Sequence, residues 1–465
     1  MHGVRSAHRR KHLLESNNLY LSILILSLPI FLSNLMKALN SFIDMFFVSN
    51  LVADEIVADS ITAISITFPI FSITQAIAYG VMAAGVALIA QSLGADRQDT
   101  ATKITGQLLI LTVILGVIMN IILYLITPTV VTWMGAKDIG RKLMIDYVRI
   151  RSFEMVPLFI YFAFHASRQA SGDTLTPFII NMIMILFNIF MTWFLITQYD
   201  MGVKGAAIGT LLANVVIVPI FMVLLFHKNK NYIYLRRQDL VYDGVLINKI
   251  FKLSWPVAIS QAFTSLGFLI LNSIILSYGN STVNAFQVGN KINSLVLNPS
   301  MGIGAVTATF VGQNVGANNE KRARAAVRAA MILVIIISVI GAMALMPFRR
   351  SLAGIFLKRV PETLELSVEY MFFVFTSLPL MGIYQVFMGA YQGSGETHFS
   401  LILATVRLWF MRIPLVLLYK NIMKLPTSSI WYAMMLSNFA MLYLGVILYC
   451  RCRFRPKIKE GEIAL

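Results

Sequence analysis

Three short motifs occur twice in this chain, in the same order and at nearly the same spacing. Gln91-Ser92-Leu93-Gly94-Ala95 returns as Gln313-Asn314-Val315-Gly316-Ala317, a shift of 222 residues (91 to 313). Gln169-Ala170-Ser171-Gly172-Asp173-Thr174 returns as Gln392-Gly393-Ser394-Gly395-Glu396-Thr397, a shift of 223 (169 to 392). Leu26-Ser27-Leu28-Pro29 returns as Leu253-Ser254-Trp255-Pro256, a shift of 227 (29 to 256). A register held over half a chain marks a duplicated structural unit. The fold must therefore be one that can be built twice from unlike side chains.

Each motif adjoins or lies in a long apolar run. With 58% hydrophobic and 13% charged residues, most of the chain belongs in lipid. Lipid satisfies no backbone hydrogen bonds, so the spans are helices or a closed barrel. Runs such as 109–126 and 331–346 are continuously apolar, whereas barrel strands alternate in polarity. About twelve stretches reach spanning length, and the expected class is an all-α integral membrane protein.

The net charge of +17 raises the question of a nucleic-acid partner, but its distribution argues for topology. Basic residues collect before the first span (Arg5, Arg9, Arg10, Lys11), in the central loop (Lys228, Lys230, Arg236, Arg237), after the second Gln-x-x-Gly-Ala (Lys321, Arg322, Arg324, Arg328) and in the tail (Arg451, Arg453, Arg455, Lys457, Lys459). With twelve spans all of these fall on one face, as the positive-inside rule requires of the cytoplasm. The first opposite loop holds Asp54, Glu55 and Asp59, while Arg349, Arg350, Lys358 and Arg359 depart from the rule. A multi-pass protein of the cell (inner or plasma) membrane is expected, with both termini cytoplasmic and no nucleic-acid partner. The basic start runs into a full-length span, without a cleaved-signal pattern. Cys450 and Cys452 are read as incidental thiols rather than a disulfide or metal pair.

Residues 1–18 read as a cytoplasmic basic arm, 19–226 as a first lobe of six helices, and 227–249 as an inter-lobe linker. Residues 250–449 read as the second six-helix lobe and 450–465 as a cytoplasmic tail. Six spans is an even number, so the lobes insert in the same sense and are related by a pseudo-two-fold axis along the membrane normal. Duplicated bundles of this kind are characteristic of secondary transporters, whose substrate and ion sites lie at the repeat interface. Gly94 and Gly316 are expected to end helices in the left-handed cap conformation. Ser171-Gly172-Asp173 and Ser394-Gly395-Glu396 are expected to turn tightly into new helices. These loops are either simple connectors that a doubled fold needs twice or direct contributors to transport.

Ionisable groups inside a span are expensive, so each is a functional candidate. Asp44 is the sharpest, in the first span 15 residues after Pro29 (29 to 44) and seven after Lys37 (37 to 44). Desolvation favours its neutral acid unless a cation or donors offset that. It is thus suited to exchange a proton, or to hold a bare cation when ionised. The alternative is a static buried pair or an interface carboxylate. Pro29 removes a backbone bond and can bend the first span. Asn188 and Thr192 on the fifth span, with Thr210 and Asn214 on the sixth, are either partners of an ion site or interhelical glue. The second half has Gln261, Asn272, Gln287, Asn290, Gln385 and Arg412 as cavity candidates without an acid, together with Arg407 and with Lys291 at the opening of the eighth span. No phosphate-binding loop, H-E-x-x-H or catalytic constellation occurs, so neither an enzyme nor a cofactor is expected.

From about Leu21 to Tyr449 the chain resembles the multidrug and toxic compound extrusion family. The likeness rests on Leu28-Pro29, on Phe42-Ile43-Asp44-Met45-Phe46-Phe47-Val48, on both Gln-x-x-Gly-Ala loops, on the Gln-Ala-Ser-Gly-Asp and Gln-Gly-Ser-Gly-Glu turns, and on Gly205-Ala206-Ala207-Ile208-Gly209-Thr210. The resemblance implies two six-helix lobes around a central cavity. It also implies antiport by alternating access, small amphipathic or drug-like compounds leaving as protons or sodium ions enter. It places Asp44 as the acid of the first span, Pro29 as its bending point, and Asn188 and Thr210 in the N-lobe cation site. The chain departs from the pattern at Thr192, Thr264 and Met381, where many or some members carry acids. The expectation is therefore proton coupling through Asp44, with sodium there as the alternative and no other metal. Lys37 joins the second-half polar residues as a substrate-cavity candidate. The partners expected are a small-molecule substrate, the coupling ion and membrane lipids, with the protein a monomer. The rival function is a flippase for a lipid-linked oligosaccharide or another anionic lipid precursor.

Overall fold

The structure, a computed structural model, describes residues 16, 18–51, 54–135, 138–227, 233–358 and 360–458. The side chains of 41–42, 44–45, 48–66, 68–69 and 138 are outside the described set. Apolar runs of this length close their backbone bonds internally only as helices, and the order is helical throughout. The first half holds α1 (Leu19–Leu51), α2 (Asp54–Gly94), α3 (Gln98–Trp133), α4 (Asp138–Ser152), α5 (Met155–Ala170), α6 (Leu175–Tyr199) and α7 (Gly202–Phe226). The second holds α8 (Gly244–Leu276), α9 (Asn280–Gly316), α10 (Glu320–Leu345), the short α11 (Arg349–Leu357), α12 (Pro361–Ser394), α13 (Thr397–Ile422) and α14 (Ser428–Arg451).

Eleven of the described helices are long and apolar enough to cross a membrane. The remaining crossing, the fourth in chain order, is split into α4 and α5. These have 15 and 16 residues, which at about 1.5 Å per residue still exceeds a bilayer core. The break has a local cause. Pro157 sits in the first turn of α5, where its missing N–H is tolerated, and it cannot continue the ladder back into α4. Arg151 closes the break by donating to both oxygens of Glu154, at 3.3 and 2.6 Å, and to Tyr147 Oη at 3.1 Å. Glu154 is only 2% exposed. Removing one member of such a pair leaves the other charge buried and unpaired, at a cost of about 3 kcal/mol or more. Glu154→Gln is thus expected to lower the thermal unfolding midpoint, and adding Arg151→Met to recover most of the loss. Equal midpoints for wild type and Glu154→Gln would show that the pair holds nothing together.

The duplication is visible as reciprocal contacts. Helix α2 packs along α8, and α9 packs along α1. A Cβ on Gly80 would lie 2.6 Å from the Ser254 carbonyl oxygen, and one on Gly302 would lie 2.9 Å from that of Ser27. Lys291, expected at the opening of its span, lies well inside α9 and is exposed. Pro29 lies within an unbroken α1.

The connections have their own anchors. Gln107 of α3 donates to the carbonyls of Asp239 and Val241 at 3.1 and 2.7 Å and accepts from the Asp243 N–H at 2.8 Å. Asp243 then caps α8 through the N–H groups of Val245 and Leu246. After α14 the tail crosses between the halves. Cys452 and Phe454 pack in the core of the second half, and Ile458 packs in that of the first. Burial pushes the Cys452 thiol up to about 11, whereas Cys450 is exposed.

Candidate functional site

The two Gln-x-x-Gly-Ala motifs meet each other. A Cβ on Gly94 would lie 1.8 Å from the Gln313 carbonyl oxygen, and one on Gly316 would lie 1.9 Å from that of Gln91. The glycines are there for close approach, which corrects the expectation of left-handed caps. The left-handed residues are Asp96 (φ 55°) and Asn318 (φ 53°), types that tolerate that conformation. They let the Arg97 N–H reach Ser92 O at 2.9 Å and the Asn319 N–H reach Asn314 O at 2.8 Å, closing both helices with the same motif. The glutamines repeat the symmetry: Gln91 Nε2 donates to Gly393 O at 3.0 Å, and Gln313 Nε2 to Ala170 O at 2.8 Å. Each Gln-x-x-Gly-Ala motif thus holds the Ser-Gly turn region of the other half. Those turns carry Gly172 (φ 77°) and Gly395 (φ 75°), as expected from their sequence.

The tail adds a strap that sequence reasoning missed. The Lys457 N–H donates to Gln91 Oε1 at 2.9 Å, and Lys457 Nζ meets Glu396 Oε1 at 2.7 Å. Its signal was the apolar Phe454 and Ile458 in an otherwise basic stretch.

In the first half the structure brings together Asn188, Thr192 and Thr210. Asn188 Nδ2 lies 3.2 Å from Thr210 Oγ1 and 3.5 Å from Thr192 Oγ1. Asn188 is 3% exposed and Thr192 0%. Close packing of α6 on α7 makes this possible, since a Cβ on Gly209 would lie 2.7 Å from Thr192 Oγ1. Asn214 turns away from the cluster to the Thr210 carbonyl at 2.9 Å. The side chain of Asp44 is outside the described residues. Two residues not singled out from sequence tie this region to α1: Asn181 Nδ2 donates to Ser33 Oγ at 3.0 Å. Their signal was the seven-residue spacing from Asn181 to Asn188, which puts both on one face of α6. Lys37 is exposed on α1, its Nζ 5.6 Å from the Tyr161 ring centre.

The second-half candidates are dispersed. Asn290 and Arg412 line one small cavity. Asn290 Oδ1 accepts from the Tyr370 hydroxyl at 2.7 Å. Gln261, Asn272 and Gln385 are half-buried, Gln287 is exposed, and none of the four lines that cavity. Asn272 Oδ1 is buried without a partner among the described residues.

This architecture is that of a two-lobe, twelve-helix membrane transporter, and comparison with known proteins agrees. The sequence model of the MatE family matches residues 29–194 and 256–418, beginning at the two prolines, Pro29 and Pro256, that the internal repeat pairs. The chain belongs to the MatE family of multidrug-efflux transporters. Among its relatives is the probable multidrug resistance protein YoeA of Bacillus subtilis, 24% identical over 88% of this chain and 89% of its own. The multidrug export protein MepA of Staphylococcus aureus is 21% identical over 97% of both chains. In fold the chain is similar to a MATE transporter crystallised in complex with MaL6, with a TM-score of 0.88 and 24% identity, covering 95% of this chain and 98% of that one.

Proposed function

We propose that the protein exports small amphipathic compounds across the cell membrane by alternating access, in exchange for protons taken up at Asp44. The reading is carried by the register between α1 and α6. Both are odd-numbered spans, so they run in parallel, and they pack together with Asn181 bonded to Ser33. Asp44 lies 11 residues beyond Ser33, and Thr192 lies 11 beyond Asn181. Eleven residues make about three helical turns, a rise of about 16 Å. The same rise along parallel helices gives Asp44 a register position on α1 at the height of Thr192. On this reading the coupling site pairs one acid with an amide and two hydroxyls, none of which carries charge. A single acid, with no second carboxylate among Asn188, Thr192 and Thr210, suits a proton carrier better than a sodium cage.

In this reading the end of the bundle holding the repeated motifs is cytoplasmic, with both termini, and the structure represents the state closed on that side. Opening there would part Gly94 from Gln313 and Gly316 from Gln91. The protein works as a monomer, since each half supplies the other's partner surface. The buried arginines of α13 favour the rival reading, flipping of an anionic lipid precursor.

The test is efflux of fluorescent cationic dyes from liposomes holding the purified protein, under an imposed pH gradient and then a sodium gradient. Transport under the pH gradient alone is expected. A folded protein that moves dye under neither gradient would sink the proposal and direct the search to anionic lipids. Thr192→Asp adds a second carboxylate at the same height and is expected to shift the dependence toward sodium. An unchanged ion preference in that variant would argue against this cluster as the coupling site.

A further inference from the structure

We propose that the cavity around Arg412 in the second half binds a small, singly charged anion. Arg412 ends the π-helical segment Val406–Arg412 of α13, an irregularity often found at functional positions, and is 4% exposed. Its guanidinium is held by neutral groups: Nε donates to Ser437 Oγ at 2.9 Å and Nη2 to Asn438 Oδ1 at 2.8 Å and the Met434 carbonyl at 3.5 Å. Arg407, five residues earlier and 5% exposed, stacks on the Tyr384 ring at 4.1 Å. Its Nε has no hydrogen-bond partner among the described residues. Neither arginine pairs with a carboxylate among the described residues. A buried cation without a counter-charge is strongly disfavoured, and a bound anion removes the disparity.

The walls of the cavity supply the matching polarity. Asn290 Oδ1 and Asn438 Oδ1 are already occupied, by the Tyr370 hydroxyl and by Arg412. What remains unbonded there is a donor. The indole Nε1 of the fully buried Trp431, which lines the cavity beside Arg412, has no partner among the described residues. Met381 lines the same cavity and brings no acid. A guanidinium without a carboxylate and an unbonded indole N–H on one cavity describe a site for negative charge. The cavity volume is about 40 Å³. That admits a chloride-sized ion or the carboxylate tip of a larger compound, but not a drug-sized molecule, which needs about 300 Å³ or more. The test reads binding to the resting protein and does not depend on export.

The experiment follows thermal unfolding and tryptophan fluorescence of the purified full-length protein at constant ionic strength, in sodium gluconate, chloride or benzoate. Chloride or benzoate is expected to raise the unfolding midpoint and alter the fluorescence saturably relative to gluconate. Saturation at lower benzoate than chloride assigns the site to an organic carboxylate, and the reverse order assigns it to an inorganic ion; both keep the anion site. Arg412→Gln is expected to lose the response completely. Met381→Glu places a carboxylate in the same cavity and is expected to be stable without added anion and equally unresponsive, which guards against a variant that merely misfolds. Identical behaviour of the wild type in all three salts, or an undiminished response in Met381→Glu, overturns the proposal.

Discussion

Gly316→Ala, and equally Gly94→Ala, is expected to hold the two halves apart at the end bearing the repeated motifs and to reduce export about a hundredfold or more. The added methyl carbon would sit 1.9 Å from the Gln91 carbonyl oxygen in the first variant, and 1.8 Å from that of Gln313 in the second. Both obstacles are backbone atoms of a packed helix, so no flexible side chain can swing aside. Overpacking of this kind costs about 3 kcal/mol, which is a factor of about 100 in the population of the closed state. The rest of each half is untouched, so the variants are expected to insert and fold. Labels at Asp96→Cys and Asn318→Cys, which flank the two glycines symmetrically, would report the separation. Unchanged label distances in both alanine variants would mean that the seam does not limit closure.

Asp44→Asn is expected to bring gradient-driven export to background while the protein still inserts. An amide is close to the carboxylic acid in shape but takes up no proton near neutral pH. If Asp44 alone carries the exchanged proton, no neighbour replaces it, because Asn188, Thr192 and Thr210 do not titrate. A transporter that binds substrate but cannot couple should still exchange substrate for substrate across the membrane without a gradient. Retained uptake of dye against a pH gradient in Asp44→Asn would remove Asp44 from the mechanism. Loss of both gradient-driven transport and passive exchange would point instead to a structural role.

Much of this protein is legible in its sequence because lipid leaves few choices. Backbone groups must pair within a span, so apolar runs become helices, and the run lengths count them. The paired motifs disclosed the duplication, and the even number of spans per half disclosed its sense. The pairing of Asn188 with Thr192 also followed from helical spacing, since residues one turn apart share a face, whereas Thr210 reaches them only through the packing of α7 on α6. The split of the fourth crossing at Glu154 was less visible, because a buried Arg–Glu pair looks like an ordinary polar interruption until its geometry is known.

The role of Gly94 and Gly316 shows where local reasoning ends. A glycine after a helix suggests a left-handed cap, yet the turn is made by Asp96 and Asn318. What requires glycine is a carbonyl oxygen more than two hundred residues away in sequence. The tail strap through Lys457 and the unbonded indole N–H beside Arg412 are hidden for the same reason. The sequence by itself determined the membrane-spanning helices, their duplication and the family, because these depend on composition, period and order along one chain. Only the tertiary structure decided which surfaces the two halves share and which buried donors lack acceptors, because close approach and hydrogen-bond satisfaction are properties of pairs of distant segments.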